Sequence, residues 1–415
     1  MSLTVDDLPA TIRATKQEIK AQISDLEGAF VEVEELMRRE VEEIQDARAR
    51  RQPVIPELDF ADVSRGAVPE ALAQAIRRRG VAIVRGVVSR EQATEWDESI
   101  GEYLARNRYA EKPDDPSLDQ YFSKLDASRP QIFGIYWAKP QMEARQHPAL
   151  IRTRSWLNSL WQHESQGTVH FNPDQECTYA DRIRRREPGD RTLGLSPHMD
   201  AGSVERWIDP AYRKVYRHVF SGDWRAYDPF DGAWRPVTEE IPSPAVCSMF
   251  RTYQGWTALT PQGAGDGTLQ VLPIARGVVY LLLRALLDDV PEDKLCDAEP
   301  GRALSVTPEW HSTLMPGLCP IPLVEPGDTV WWHPDIGHAV EDVNSGTGYS
   351  NVIYIGSAPA CAKNTAYLER QKAAFLQGES APDFAPENYE VGFEGRATVD
   401  DLSKLGRKQM GIESW

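Results

Sequence analysis

The chemistry in this chain starts from two residues two positions apart, His198 and Asp200 in His198-Met199-Asp200, and from His338 about 140 residues later. Two imidazoles and one carboxylate can occupy one face of an octahedral iron(II), leaving the remaining positions open to other molecules. On an extended backbone His198 and Asp200 project to the same side and Met199 to the other. The pair has a plainer reading too, a histidine hydrogen-bonded to its neighbouring aspartate at a strand end. His333 competes with His338 for the third position, and Pro334 biases its backbone toward extended geometry. His311 and His170 are weaker candidates, and His218 and His163 have the look of surface or packing residues.

These side chains need rigid elements behind them. His198 stands in a stretch that predicts a strand, Thr192–His198, running into the small-residue turn Ala201-Gly202-Ser203. His338 follows the turn Pro326-Gly327-Asp328 and the apolar strand Thr329–Trp332, which stops at Pro334. Further strands are expected at Val81–Val84, Gln131–Trp137, Val246–Trp256, Thr268–Pro273, Val278–Arg284 and Asn351–Ile355. Helices are expected at Pro69–Arg79, from Ser89 as cap to Asn107, at Pro148–Trp161 and at Thr365–Phe375, with a Pro- and Asp-rich loop over 111–130. Many short strands punctuated by turns predict a mainly β fold with α additions, an antiparallel sandwich or barrel rather than a doubly wound sheet.

Residues 8–50 carry Ile12, Ile19, Ile23, Phe30, Val33, Met37, Val41 and Ile44 at spacings of mostly three and four, which predicts one long amphipathic helix or a broken pair. It is expected to pack on the chain's own body; the alternative is a homodimer contact through this helix. Pro53 and Pro56 end it. The expected organisation is a helical extension over 1–52, one domain over 53–377 with its β core at about 178–360, and an irregular tail over 378–415.

Composition narrows the partners. The chain has 415 residues, 41% of them apolar, and a net charge of -17. That balance disfavours nucleic acid and anionic membrane surfaces, and no apolar run approaches bilayer length. No secretory signal is read at the start. Five scattered cysteines without metal-binding spacing fit a reduced, cytoplasmic protein.

The motifs around the ligand candidates carry a resemblance. Ser196-Pro197-His198-Met199-Asp200-Ala201-Gly202-Ser203-Val204-Glu205-Arg206-Trp207, Gly267–Ile274, Trp331–His338 and Gly80–Gly86 together resemble the family of unassigned function DUF1479. The second half resembles the double-stranded β-helix (jelly-roll, cupin-like) oxygenases that use non-haem iron(II) and 2-oxoglutarate, above all the phytanoyl-CoA dioxygenase type. The resemblance implies that His198, Asp200 and His338 hold iron(II) and act catalytically. It implies 2-oxoglutarate and molecular oxygen as cosubstrates, a small-molecule substrate, and release of succinate and CO2.

One departure stands out. Relatives of the phytanoyl-CoA type carry an arginine about ten residues beyond the distal histidine, to clamp the far carboxylate of 2-oxoglutarate. Gly348-Tyr349-Ser350-Asn351-Val352-Ile353 has none. A guanidinium matches a carboxylate by two parallel hydrogen bonds, which the Ser350 or Tyr349 hydroxyl cannot do. Arg251, charged within a core-like stretch, is the favoured replacement, with Arg276 and Lys363 as alternatives and Ser350 as an uncharged donor. Trp207, Trp256, Trp331 and Tyr253 are candidate pocket walls. Two other functions remain open: a cupin-like metalloenzyme that does not use 2-oxoglutarate, and a non-catalytic sensor or scaffold of the same fold. The sequence specifies no substrate.

Overall fold

The computed structural model describes residues 5, 7–112, 131–191, 195–244 and 246–415. The expected loop at 111–130 and the start of the expected strand at 192–194 therefore lie almost wholly outside the described residues.

A seven-stranded sheet forms the larger layer. Its order is Glu57–Asp59, Val81–Arg85, Thr329–Trp332, Gln254–Ala258, Ser350–Tyr354, Ile183–Arg186, Ile132–Phe133. Only the first pair runs parallel; the other pairs are antiparallel. The smaller sheet has five strands in the order Leu304–Ser305, His198–Met199, His338–Val340, Leu269–Val271, Cys319–Pro320. Trp256, Val330 and Val352 from the first sheet share one apolar core with Met199, Leu269, Val271 and Leu304 from the second. The segments bearing His198 and His338 are both strands of the smaller sheet, and His198 pairs directly with His338.

The expected mainly β composition is corrected to mixed α and β. Among the described residues no strand exceeds five residues, whereas four helices run to 15, 24, 17 and 16. Two expected strands account for much of the difference. Val278–Arg284 is instead the interior of the helix Gly277–Arg284, buried almost all round. A short continuous apolar run has no period to tell strand from helix, and here Phe30 packs on Tyr280 with ring centroids 5.2 Å apart. Val246–Trp256 becomes a strand only at Gln254, because the backbone of Phe250 is taken by the side-chain amide of Asn364 instead of a neighbouring strand. Gln131–Trp137 likewise shortens to Ile132–Phe133.

The N-terminal segment is the broken pair, Leu8–Gln22 and Leu26–Ala49, capped by the Asp7 and Asp25 carboxylates. Its apolar stripe is spent within the chain: Ile19, Val33, Met37 and Ile44 are fully buried in the main core. The Lys16 ammonium anchors the first helix by donating to the carbonyls of Val290, Pro291 and Lys294 at 3.0–3.3 Å. Beyond residue 378 the backbone is largely irregular, and Ala381, Ala397, Leu402 and Met410 are buried against Trp137 and Phe375. No described helix is long and apolar enough to cross a membrane.

Candidate metal centre

Alternation on the short strand does what the spacing predicts. Met199 is fully buried in the core, while His198 and Asp200 face a cavity that His338 enters from the adjacent strand. His198 Nε2 lies 3.3 Å from Asp200 Oδ1, and His338 Nε2 lies 3.5 Å from Asp200 Oδ2. All three potential ligand atoms fall within 4.8 Å of one another. Bonds of about 2.1 Å at right angles would put donors about 3 Å apart, so the set fits a single ion on one octahedral face.

The surroundings set the tautomers. His198 Nδ1 lies 2.6 Å from the Ser196 carbonyl and His338 Nδ1 lies 3.1 Å from that of Ile336. A carbonyl only accepts, so each Nδ1 carries the proton and each Nε2 lone pair faces the cavity. Burial alone would push the Asp200 carboxyl up, but without a metal the His338 and His198 imidazoles in their protonated form outweigh it and hold the group well below the ordinary carboxylate range. The Gln254 amide also donates to Asp200 Oδ2. After Asp200 the chain turns sharply at Gly202, whose φ of +84° and contact with the Tyr212 ring leave no room for a side chain.

The two segments are tied together behind the site. Asp335, three residues before His338, accepts from Arg206 Nη1 at 2.6 Å and from Arg235 Nη2 at 3.0 Å, all three residues being buried. Arg206 in turn donates to the Gly202 carbonyl in the turn that follows Asp200.

The cavity has a volume of about 140 Å³, several times the roughly 30 Å³ that one water occupies in the liquid. Arg182, Arg184 and Arg251 line it, with Trp256, Trp332 and Tyr354. Of the residues expected to meet a carboxylate, Arg251 is therefore at the site. Its guanidinium lies over the Tyr179 ring, 5.1 Å from the centroid. The other three lie outside the cavity. The Ser350 hydroxyl is buried and donates to Gln262 Oε1 at 2.7 Å. Arg276 stands at the start of the helix Gly277–Arg284 and donates to the Arg225 carbonyl. Lys363 is paired with Glu240 at 2.7 Å.

The competing histidines are placed elsewhere. His333 stacks on Trp161 at 4.7 Å, bonds the Pro229 carbonyl and accepts from the Asp335 amide, and burial depresses it to about 3. His311 accepts from the Thr307 amide and is pushed down to about 4 by burial. His170 Nε2 is bonded to the Ser165 hydroxyl. Among the proposed walls only Trp256 lines the cavity; Trp207, Trp331 and Tyr253 pack in the core. Gln254, Trp332, Arg184 and Tyr354 were not anticipated. One signal for Arg184 existed: Arg182, Arg184 and Arg186 are spaced two apart in an extended stretch, which puts three charges on one face, with Ile183 and Arg185 on the other.

The Gig2-like family model matches residues 6–412. The Escherichia coli K12 protein YbiU is 44% identical over 418 residues, covering 99% of both chains. A Salmonella typhimurium LT2 crystal structure, named only provisionally as an oxidoreductase, superposes with a TM-score of 0.95 at 44% identity, covering 99% of each chain. The Candida albicans protein GlcNAc Inducible Gene 2, assigned in its structure to DUF1479, superposes with a TM-score of 0.81 at 28% identity, covering 100% of this chain and 91% of that one.

Proposed function

The chain belongs to the Gig2-like (DUF1479) family, and within it we propose an iron(II)- and 2-oxoglutarate-dependent oxygenase acting on a small molecule. The observation that carries this reading is the His198–Asp200–His338 cluster, with both Nε2 lone pairs and one carboxylate converging on one point of a cavity. We read the two sheets around it as a double-stranded β-helix. A facial set of two histidines and a carboxylate with open positions is the donor set of non-haem iron(II) oxygenases.

His198, Asp200 and His338 would hold the metal, and Gln254 would keep the Asp200 carboxylate from rotating. Iron(II) chelated by a 2-oxo acid supplies oxidation of an unactivated C–H bond at the expense of oxygen and decarboxylation. The chain's part is placement. The strand Ser350–Tyr354, which lacks the expected arginine, pairs with Ile183–Arg186, so that Ser350 lies opposite Arg186 and Val352 opposite Arg184. The neighbouring strand therefore offers the guanidinium that this strand omits. Arg186 is consumed by Asp190 and by the carbonyls of Gly267, Glu341 and Asp342. Arg184 has one hydrogen bond, to the Gly267 carbonyl, and no carboxylate within ion-pair distance among the described residues. Burial lowers it to about 10 and still leaves it charged at neutral pH. Arg184, rather than Arg251, is thus our assignment for the far carboxylate of the cosubstrate. Trp256, Trp332 and Leu269 exclude water around it.

Calorimetric titration of the Mn(II)-loaded protein with 2-oxoglutarate, without oxygen, tests the reading. Binding should require the metal and weaken at least about tenfold in Arg184→Met, which removes a charge-assisted pair. Metal binding without any 2-oxoglutarate binding would instead favour a metalloenzyme of other chemistry, the reading to which the missing arginine near Ser350 otherwise points.

A further inference from the structure

The cavity has two ends, separated by the level of the ligand cluster. Gln254, which bonds Asp200, pairs with Trp332 and marks that level on the large sheet. Val352 pairs with Ala258, four residues along from Gln254, and Arg184 pairs with Val352. At about 3.3 Å per residue Arg184 springs from the sheet roughly 13 Å beyond the ligand level. The small sheet agrees: Val340 and Leu269 pair two residues past His338, and the Gly267 carbonyl that receives Arg184 lies further still. Arg251 precedes Gln254 by three residues, on the other side of the ligand level.

That second end opens outward. Its walls Pro244, Val246, Asp383 and Phe384 are shared with an adjoining groove of about 790 Å³. Arg251 has no hydrogen-bond or ion-pair partner among the described residues and rests on the Tyr179 ring. Three carboxylates lie near it, none within ion-pair distance among the described residues: Asp200 belongs to the ligand cluster, Asp383 accepts from the Ser248 amide and hydroxyl at 2.7 Å, and Asp181 accepts from the Arg182 amide at 2.7 Å. A guanidinium held at a cavity mouth with no carboxylate paired directly to it can receive the carboxylate or phosphate of a bound molecule.

We infer that Arg251 receives an anionic group of the substrate, so that the molecule oxidised is a compact acid, a carboxylate or phosphate, admitted from the groove. This rests on the oxygenase reading, in which Arg184 and the three ligands take the cosubstrate and leave Arg251 for the second molecule. Arg251 would be a specificity-determining residue, holding the acid end while the carbon to be oxidised faces the metal.

The test keeps the two readings apart. Calorimetry first measures 2-oxoglutarate binding to Mn(II)-loaded native protein and to Arg251→Met; failure in the native protein sinks the oxygenase reading by itself. Proton NMR then follows paramagnetic broadening of benzoate, phenyl phosphate and neutral benzamide by the Mn(II)-loaded protein with 2-oxoglutarate present. The inference expects one of the anions to broaden saturably, benzamide not to, and the effect to fall at least about tenfold in Arg251→Met, the loss of a charge-assisted bidentate pair. Which anion responds distinguishes carboxylate from phosphate. Equal broadening by benzamide, or anion broadening unchanged in Arg251→Met, overturns it. So does a loss of 2-oxoglutarate affinity in that variant, which would make Arg251 the cosubstrate clamp.

Discussion

Asp200 faces the His198 and His338 imidazoles and accepts a hydrogen bond from the Gln254 amide. The amide occupies Oδ2, which favours a single carboxylate oxygen as ligand. Outer partners of this kind typically govern metal affinity by about 10- to 100-fold. Gln254→Leu should therefore weaken Mn(II) binding by that factor in competition with a chelating dye, with the fold retained; unchanged affinity would deny Gln254 this role. The convergence of His198, Asp200 and His338 was legible because spacing on a strand fixes the side of the first two, and the neighbouring motifs confined the choice of the third. The placement of Gln254 and Arg184 at the cavity was not, because it depends on which strands lie side by side. Ser350 shows the same limit in reverse: its position relative to His338 was read correctly, but its hydroxyl is turned to Gln262.

At the scale of elements, the segments that carry Asp200 and His338 are joined by the buried Arg206–Asp335–Arg235 cluster. Burial would raise Asp335, but the facing guanidiniums of Arg235 and Arg206 hold it well below the ordinary carboxylate range. Asp335→Asn leaves two buried cations without their counter-charge and should cost about 3–5 kcal/mol in urea denaturation. A loss under about 1 kcal/mol would show that water or other groups compensate them. The N-terminal helices make a second case. Met37 is fully buried, and Met37→Ala should destabilise by about 2–5 kcal/mol; a negligible loss would mean that the helices are dispensable to the core. Their amphipathic spacing was visible in the sequence because it recurs over ten turns. The helix Gly277–Arg284 was not, since burial on every side erases the period that would identify it.

At the scale of the molecule, residues after 378 fold back to close the far end of the large sheet. Glu390 accepts from the Trp137 amide at 3.0 Å, from the Tyr136 amide and from the Tyr103 hydroxyl at 2.8 Å. Burial pushes its carboxyl from an ordinary 4.5 up to about 7. The folded chain therefore holds a proton that the unfolded chain releases over that range. Its contribution is full below about pH 4.5 and fades as pH rises toward 7, by roughly 3 kcal/mol in all. Subtracting the stability–pH curve of Glu390→Gln from that of the native protein should reveal this downward slope; a flat or rising difference would contradict it. The division expected at residue 378 described the backbone's irregularity but missed this closure, because the contacts made by a Pro-rich stretch leave no period in its sequence.

In the proposed oxygenase, His198, Asp200 and His338 chelate iron(II) and leave room for a 2-oxo acid beside it. The most direct test of this is anaerobic titration of the metal-free protein with iron(II) and then 2-oxoglutarate, watching for the weak visible charge-transfer band of the chelate. The band should form in the native protein and be lost in His198→Ala and His338→Ala. Iron(II) binding with no band, or a band that survives both substitutions, would contradict it.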